Sequence, residues 1–181
     1  MRVRSWLIIL GLCSLISNGF ANTSRTGISL AFPVLTKDPE YLHAYQLTGW
    51  YQPTELDFQH IRIYFNAAVG HWWITHTTHN KSLNIYSVSP ILRYYFRDHA
   101  SISPFINAGI GLSYLTRTHI DSQNLGMHFA FQDQLGLGAS FGKNQQLSVI
   151  LSALHYSNGS LCRMNAGITV PLMVTVEYDF V

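Results

Sequence analysis

The chain has 181 residues, 11% of them charged and 13% aromatic, a low-charge, aromatic-rich balance in a chain of single-domain length. Its formal charge of +2 is the excess of 11 basic over 9 acidic residues, and Arg2 and Arg4 alone account for it. No basic footprint remains beyond them, which excludes a nucleic-acid-binding protein, and no nucleic-acid partner is expected.

The first element is a leader. Arg2 and Arg4 form a positive start, residues 6–16 an apolar run, and Gly19-Phe20-Ala21 a small-x-small cleavage signal. A signal peptide at 1–21 and a mature domain at 22–181 follow, so export is expected. The apolar run is too short for a membrane-spanning helix, and Leu12 before Cys13 is the wrong residue for lipoprotein cleavage. With Cys13 lost, Cys162 is the only cysteine left, so no intramolecular disulfide is expected.

After the leader no window keeps helical periodicity. Eight strand-length segments rich in Tyr, Phe, Ile and Val recur instead, at 26–34, 41–52, 59–74, 81–97, 101–117, 125–142, 146–157 and 169–180. Several alternate cleanly: Ile61, Ile63, Phe65, Ala67 and Val69 oppose Arg62, Tyr64, Asn66, Ala68 and Gly70. Phe129, Phe131, Leu135, Leu137 and Ala139 likewise oppose His128, Gln132, Gln134, Gly136 and Ser140. Lipid satisfies no backbone groups, so a sheet that spans a membrane must close on itself with its apolar face outward. The pattern therefore predicts an all-β fold, an eight-stranded antiparallel transmembrane β-barrel. Trp50-Tyr51, Trp72-Trp73 and Tyr94-Tyr95-Phe96 lie near segment ends, where interfacial girdles are expected. A soluble secreted lipid-binding barrel would alternate too, with its apolar faces turned inward.

The last segment favours the membrane. Leu172, Val174, Val176, Tyr178 and Phe180 alternate to an aromatic one residue from the end, similar to the terminal strand that the barrel assembly machinery recognises. This predicts the cell outer membrane of a Gram-negative bacterium. Pro171 lacks a donor just inside this segment, implying an edge, a bulge or a strand start.

The chemistry-bearing stretch is 147–158. Period two places Leu147, Val149, Leu151 and Ala153 on one face with His155 and Ser157. A base and a hydroxyl thus sit side by side on an apolar surface, a spacing that a barrel surface with many histidines also offers by accident.

The run Ser103-Pro104-Phe105-Ile106-Asn107-Ala108-Gly109-Ile110-Gly111, then Gln123-Asn124-Leu125-Gly126, Phe131-Gln132-Asp133 and His155-Tyr156-Ser157-Asn158, resembles the lipid A 3-O-deacylase (PagL) family of outer-membrane acyl hydrolases. The resemblance covers the C-terminal half from about Ser103 onward, the N-terminal half matching in strand pattern only. It implies an outer-membrane barrel that removes an ester-linked acyl chain from lipid A of lipopolysaccharide through a Ser-His-acid site on its lipid-facing surface. By that resemblance Ser157 attacks, His155 is the base, and Asn158 helps the backbone stabilise the oxyanion; no metal or cofactor is implied. The rival reading is a non-enzymatic barrel of the same build. Which acyl position is cut, and whether the chain forms a homodimer, stay open.

The acid departs from the family. A Glu follows the Asn-x-Gly-Ile turn there, whereas here Asn165-Ala166-Gly167-Ile168 leads into Thr169. If the turn at 143–145 pairs Phe141 with Leu147, antiparallel register sets Asp133 directly opposite His155, making Asp133 the candidate acid. Asp133→Asn is accordingly expected to cost more activity than Thr169→Ala. Glu177 lies too far along its strand to serve. Thr169 carries a parity conflict, since the apolar face of the last segment is even-numbered; either a bulge near Pro171 switches faces or Thr169 points away from the site. His71, His76 and His79 read as interfacial or loop histidines, and Arg93, Arg97 and Arg117 as candidates for lipid A phosphates at the rim.

Overall fold

The computed structural model describes residues 24–77, 79–97, 101–142 and 144–180. The leader therefore lies outside the described residues. Eight long strands follow in order: β1 (Arg25–Leu35), β2 (Leu42–Gln52), β3 (Ile61–Ile74), β4 (Ser82–Tyr95), β5 (Ile102–Leu115), β6 (Phe129–Phe141), β7 (Leu147–Ser157) and β8 (Ile168–Phe180). Each pairs antiparallel with its sequence neighbours, and β8 pairs with β1, which closes the sheet into an eight-stranded barrel. Two short pieces decorate it, Asp57–Phe58 against the start of β3 and a small hairpin of His119–Ile120 with Gln123–Asn124.

The period-two pattern is oriented by the wall. Ile28, Phe65, Val88, Ile110, Leu137 and Val176 are 46%, 46%, 57%, 65%, 60% and 46% exposed, so the apolar faces look outward. A soluble barrel needs them inward, and that alternative fails here. Adjacent aromatics cannot share a face, which corrects the girdle expectation for one member of each cluster. Trp73, Tyr51 and Tyr94 point outward, whereas Trp72, Trp50 and Tyr95 are buried inside.

The interior is filled and graded. Toward the end where β5 leaves and β6 enters, it is apolar: Trp72, Leu83, Ile85, Leu115, Tyr156, Ile168 and Val170 are at most 2% exposed. Ile120 and Leu125 come from the long β5–β6 connection to join that core. At the opposite end Arg93 makes a 2.8 Å ion pair with Glu177, with its Nε donating to Asn107 at 3.0 Å. Arg93 is thus a buried interior residue, not a rim contact for phosphate. Between the two regions lies a polar cavity of about 40 Å³ lined by Ser29, Gln46, Asn107 and Glu177, room for a few waters and no channel.

Connections are longest at the apolar-cored end, 116–128 after β5 and 158–167 after β7. Outer-membrane barrels carry their long loops on the outer side, so β7 delivers His155 and Ser157 to the outer rim.

Candidate active site

β7 alternates without interruption between β6 and the loop, so its outward face runs from Leu147 through Leu151 to His155 and Ser157. Tyr156, between them, points inward, fully buried, with its hydroxyl donating to Gln46 at 3.1 Å and its ring edge-on to Trp72. That anchor fixes the backbone on which the two polar groups stand. Both are half-buried at the rim of the wall.

The turn joining β6 to β7 pairs Phe141 with Leu147, and the register carries Asp133 to a place directly opposite His155. Asp133 is half-buried on the outward face, yet no hydrogen bond joins it to His155 among the described residues. The imidazole turns the other way. On β8, Ser152 pairs with Met173 but Leu154 pairs with Val170, so Pro171 and Leu172 together oppose Ala153. This is a β-bulge, and the extra residue resolves the parity conflict: beyond it Thr169 faces outward beside His155. Thr169 Oγ1 lies 3.1 Å from His155 Nδ1, which leaves Nε2 as the ring nitrogen available to a neighbouring hydroxyl.

Asn158 is fully buried. Its side-chain amide donates to the carbonyls of Leu125 at 2.9 Å and Met164 at 2.7 Å, while its backbone N–H donates to Asn165 Oδ1 at 2.8 Å. Both amide hydrogens are committed to backbone, so the side chain latches the β5–β6 and β7–β8 loops together. Past it the chain makes a tight turn in which Leu161 N–H donates to the Asn158 carbonyl at 3.1 Å, with Gly159 at φ 62° and Ser160 at φ 65°.

Gly167 completes the site in a way the spacing did not reveal. It sits at φ 76°, and a Cβ there would stand 3.1 Å from His155 Cε1 and 3.0 Å from the Tyr156 carbonyl, so the backbone packs against the imidazole ring. A glycine one residue before a strand is the only trace of this in the sequence. Glu177 points into the barrel against Arg93, away from His155. His71 Nδ1 donates to Asn84 Oδ1 at 2.7 Å and the ring stacks on Trp73, and His76 meets the Tyr41 ring. Among the described residues no group of His, Cys, Asp or Glu is disposed to hold a metal ion.

A closed barrel of eight strands with an apolar outer wall is the build of a small outer-membrane β-barrel, and His155 and Ser157 stand on its outward face with no hydrogen bond between them among the described residues. The profile of lipid A 3-O-deacylase (PagL) matches residues 40–179. The chain belongs to the lipid A 3-O-deacylase (PagL) family. Lipid A deacylase PagL of Pseudomonas aeruginosa is 42% identical over 82 residues, 45% of this chain and 46% of that protein, so the chain spans about half the length of the relative it matches. The crystal structure of the outer membrane enzyme PagL superposes with a TM-score of 0.71 at 27% identity, covering 84% of this chain and 98% of that one. Neisserial surface protein A shares the fold alone, with a TM-score of 0.54 at 11% identity over 88% of this chain and 98% of its own.

Proposed function

We propose that this protein is an outer-membrane hydrolase that removes an ester-linked acyl chain, at the 3-O position by its family, from lipid A of lipopolysaccharide. The observation that carries the reading is His155, oriented through Nδ1 by Thr169, two residues from Ser157 on the same lipid-facing surface.

Ser157 Oγ attacks the ester carbonyl carbon while its proton passes to His155 Nε2. The tetrahedral intermediate collapses, and the sugar alkoxide leaves with the proton that His155 returns. Water then attacks the acyl-serine, giving a proton to His155, which passes it to the departing Ser157 oxygen as the free fatty acid is released. The peptide N–H groups of Gly159 and Ser160, in the turn that Asn158 anchors, are the donors nearest in chain to the developing oxyanion. Asp133 stabilises the imidazolium through space from the β6 side. The apolar wall below the pair holds the lipid, and no metal or cofactor takes part. The alternating last strand supports recognition by the barrel assembly machinery.

Thr169 in place of a carboxylate favours the rival reading, a non-enzymatic barrel. Mass analysis of lipid A from outer membranes with and without the protein separates the two. Loss of one acyl chain is expected with the wild type and none with Ser157→Ala; unchanged lipid A in both, or activity retained by Ser157→Ala, would refute the serine mechanism.

A further inference from the structure

We infer that Asp38 supplies the carboxylate support of His155, acting through the hydroxyl of Thr169 as a positioning residue. This rests on the reading of His155 and Ser157 as base and nucleophile.

Just past the end of β1, Asp38 forms an antiparallel bridge with Thr169, in the register already set by Leu35 and Leu172 three residues away on each strand. Thr169 N–H donates to the Asp38 carbonyl at 2.8 Å. The N–H groups of Lys37 and Asp38 both converge on the Thr169 carbonyl, at 3.1 and 3.4 Å. Two successive donors on one acceptor mark a bulge on the β1 side, which resets the alternation there as the Pro171 bulge does on β8. Directly paired residues share a face, and the side chain of Thr169 is on the face of His155. Asp133, His155, Thr169 and Asp38 therefore form one row across four neighbouring chain segments.

Hydrogen-bond direction makes that row functional. With Nε2 taking the Ser157 proton, Nδ1 carries its own hydrogen and donates to Thr169 Oγ1. The hydroxyl then has one hydrogen of its own to place, and an ionised carboxylate on its far side is an acceptor-only group. Asp38 is half-buried and its carboxylate has no hydrogen bond or ion pair among the described residues. At the usual strand spacing its backbone lies about 10 Å from that of His155, too far for a direct bond and one hydroxyl away from it. No proton leaves Thr169: the imidazolium donates to Oγ1, the Asp38 carboxylate, which makes no bond to Oγ1 in this structure, accepts from it on a side-chain rotation, and Asp38 stays ionised throughout. Asp133 lies one strand from His155 but on the side from which Nδ1 is turned.

The test uses the full-length protein in detergent with lipopolysaccharide as substrate, reading acyl release. Asp38→Asn is expected to lower kcat about 100-fold with KM unchanged, and Asp38→Glu to keep most of the activity. Adding Thr169→Glu to Asp38→Asn is expected to restore turnover, because it sets a carboxylate directly on Nδ1. Wild-type kcat in Asp38→Asn overturns the role of Asp38. So does an equal loss in Asp38→Asn and Asp38→Glu that Thr169→Glu fails to rescue, which is the behaviour of a structural strut. A wild-type chain that releases nothing until Thr169→Glu is introduced overturns it as well. Ser157→Ala, run beside them, keeps the two levels apart: activity in that variant sinks the serine mechanism on which the role of Asp38 rests, whereas its inactivity with a fully active Asp38→Asn sinks only the role of Asp38.

Discussion

His155 has a strand on each side, and the two neighbours offer different chemistry. Asp133 brings charge without a bond; Thr169 brings a 3.1 Å bond without charge. In the proposed mechanism the orientation of the ring decides whether Nε2 meets Ser157, so the bond outranks the charge for selecting the tautomer. Thr169→Val, which keeps shape and removes the hydroxyl, is expected to lower kcat by about 10- to 100-fold. Asp133→Asn should cost only a few-fold by the same measure, the reverse of the order that register alone suggests. Kinetics of the two purified variants against lipopolysaccharide check this, and equal losses would return Asp133 to the leading role.

At the scale of the element, the site depends on one extra residue. Without the bulge at Pro171 and Leu172, strict alternation along β8 would turn Thr169 into the barrel and Ile168 out of it. Deleting Leu172 restores a regular ladder and flips the faces of the strand end. The expected result is a barrel that still forms, seen as retained β circular dichroism and a compact band on unheated gels, with deacylation abolished. A deletion variant with wild-type activity would show that Thr169 does not orient the histidine. The sequence signalled this element through Pro171, whose missing donor demanded an irregularity, but left open which way the strand turned. Only pairing with β7 on one side and β1 on the other resolves that, because a bulge is defined by what lies across from it.

Across the whole molecule the barrel separates chemistry from structural charge. The site is at the outer rim, and the buried Arg93–Glu177 pair lies in the other half of the interior, with Arg93 also 4.0 Å above the Phe105 ring. Removing one partner strands the other in a low-dielectric interior, at a cost of about 3–5 kcal/mol. Arg93→Met is therefore expected to lower the urea midpoint of the barrel in vesicles while leaving deacylation at 25 °C unchanged. Loss of activity without loss of stability would instead place Arg93 in the functional machinery. Arg93 also marks where reading from composition misleads. An arginine near a segment end suits a membrane rim, but its parity with Tyr95 and Ile91 on β4 assigns it to the inside.

The sequence by itself determined the alternation of the eight segments and the placing of His155 and Ser157 on one face of theirs; whether that face turns outward was decided by the closed wall. The alternation and the shared face follow from period two, a local property of consecutive residues that needs no knowledge of partners. Register across one short turn was also within reach, which is why Asp133 opposite His155 was legible. Tertiary structure alone decided what supports the histidine. The Thr169 bond needs a bulge on β8, the Asp38 bridge joins residues 131 positions apart in the chain, and the commitment of Asn158 to two loop carbonyls needs both long loops in place. These are contacts between segments distant in sequence, and the chemistry of each residue taken singly gives no sign of which neighbour it will meet.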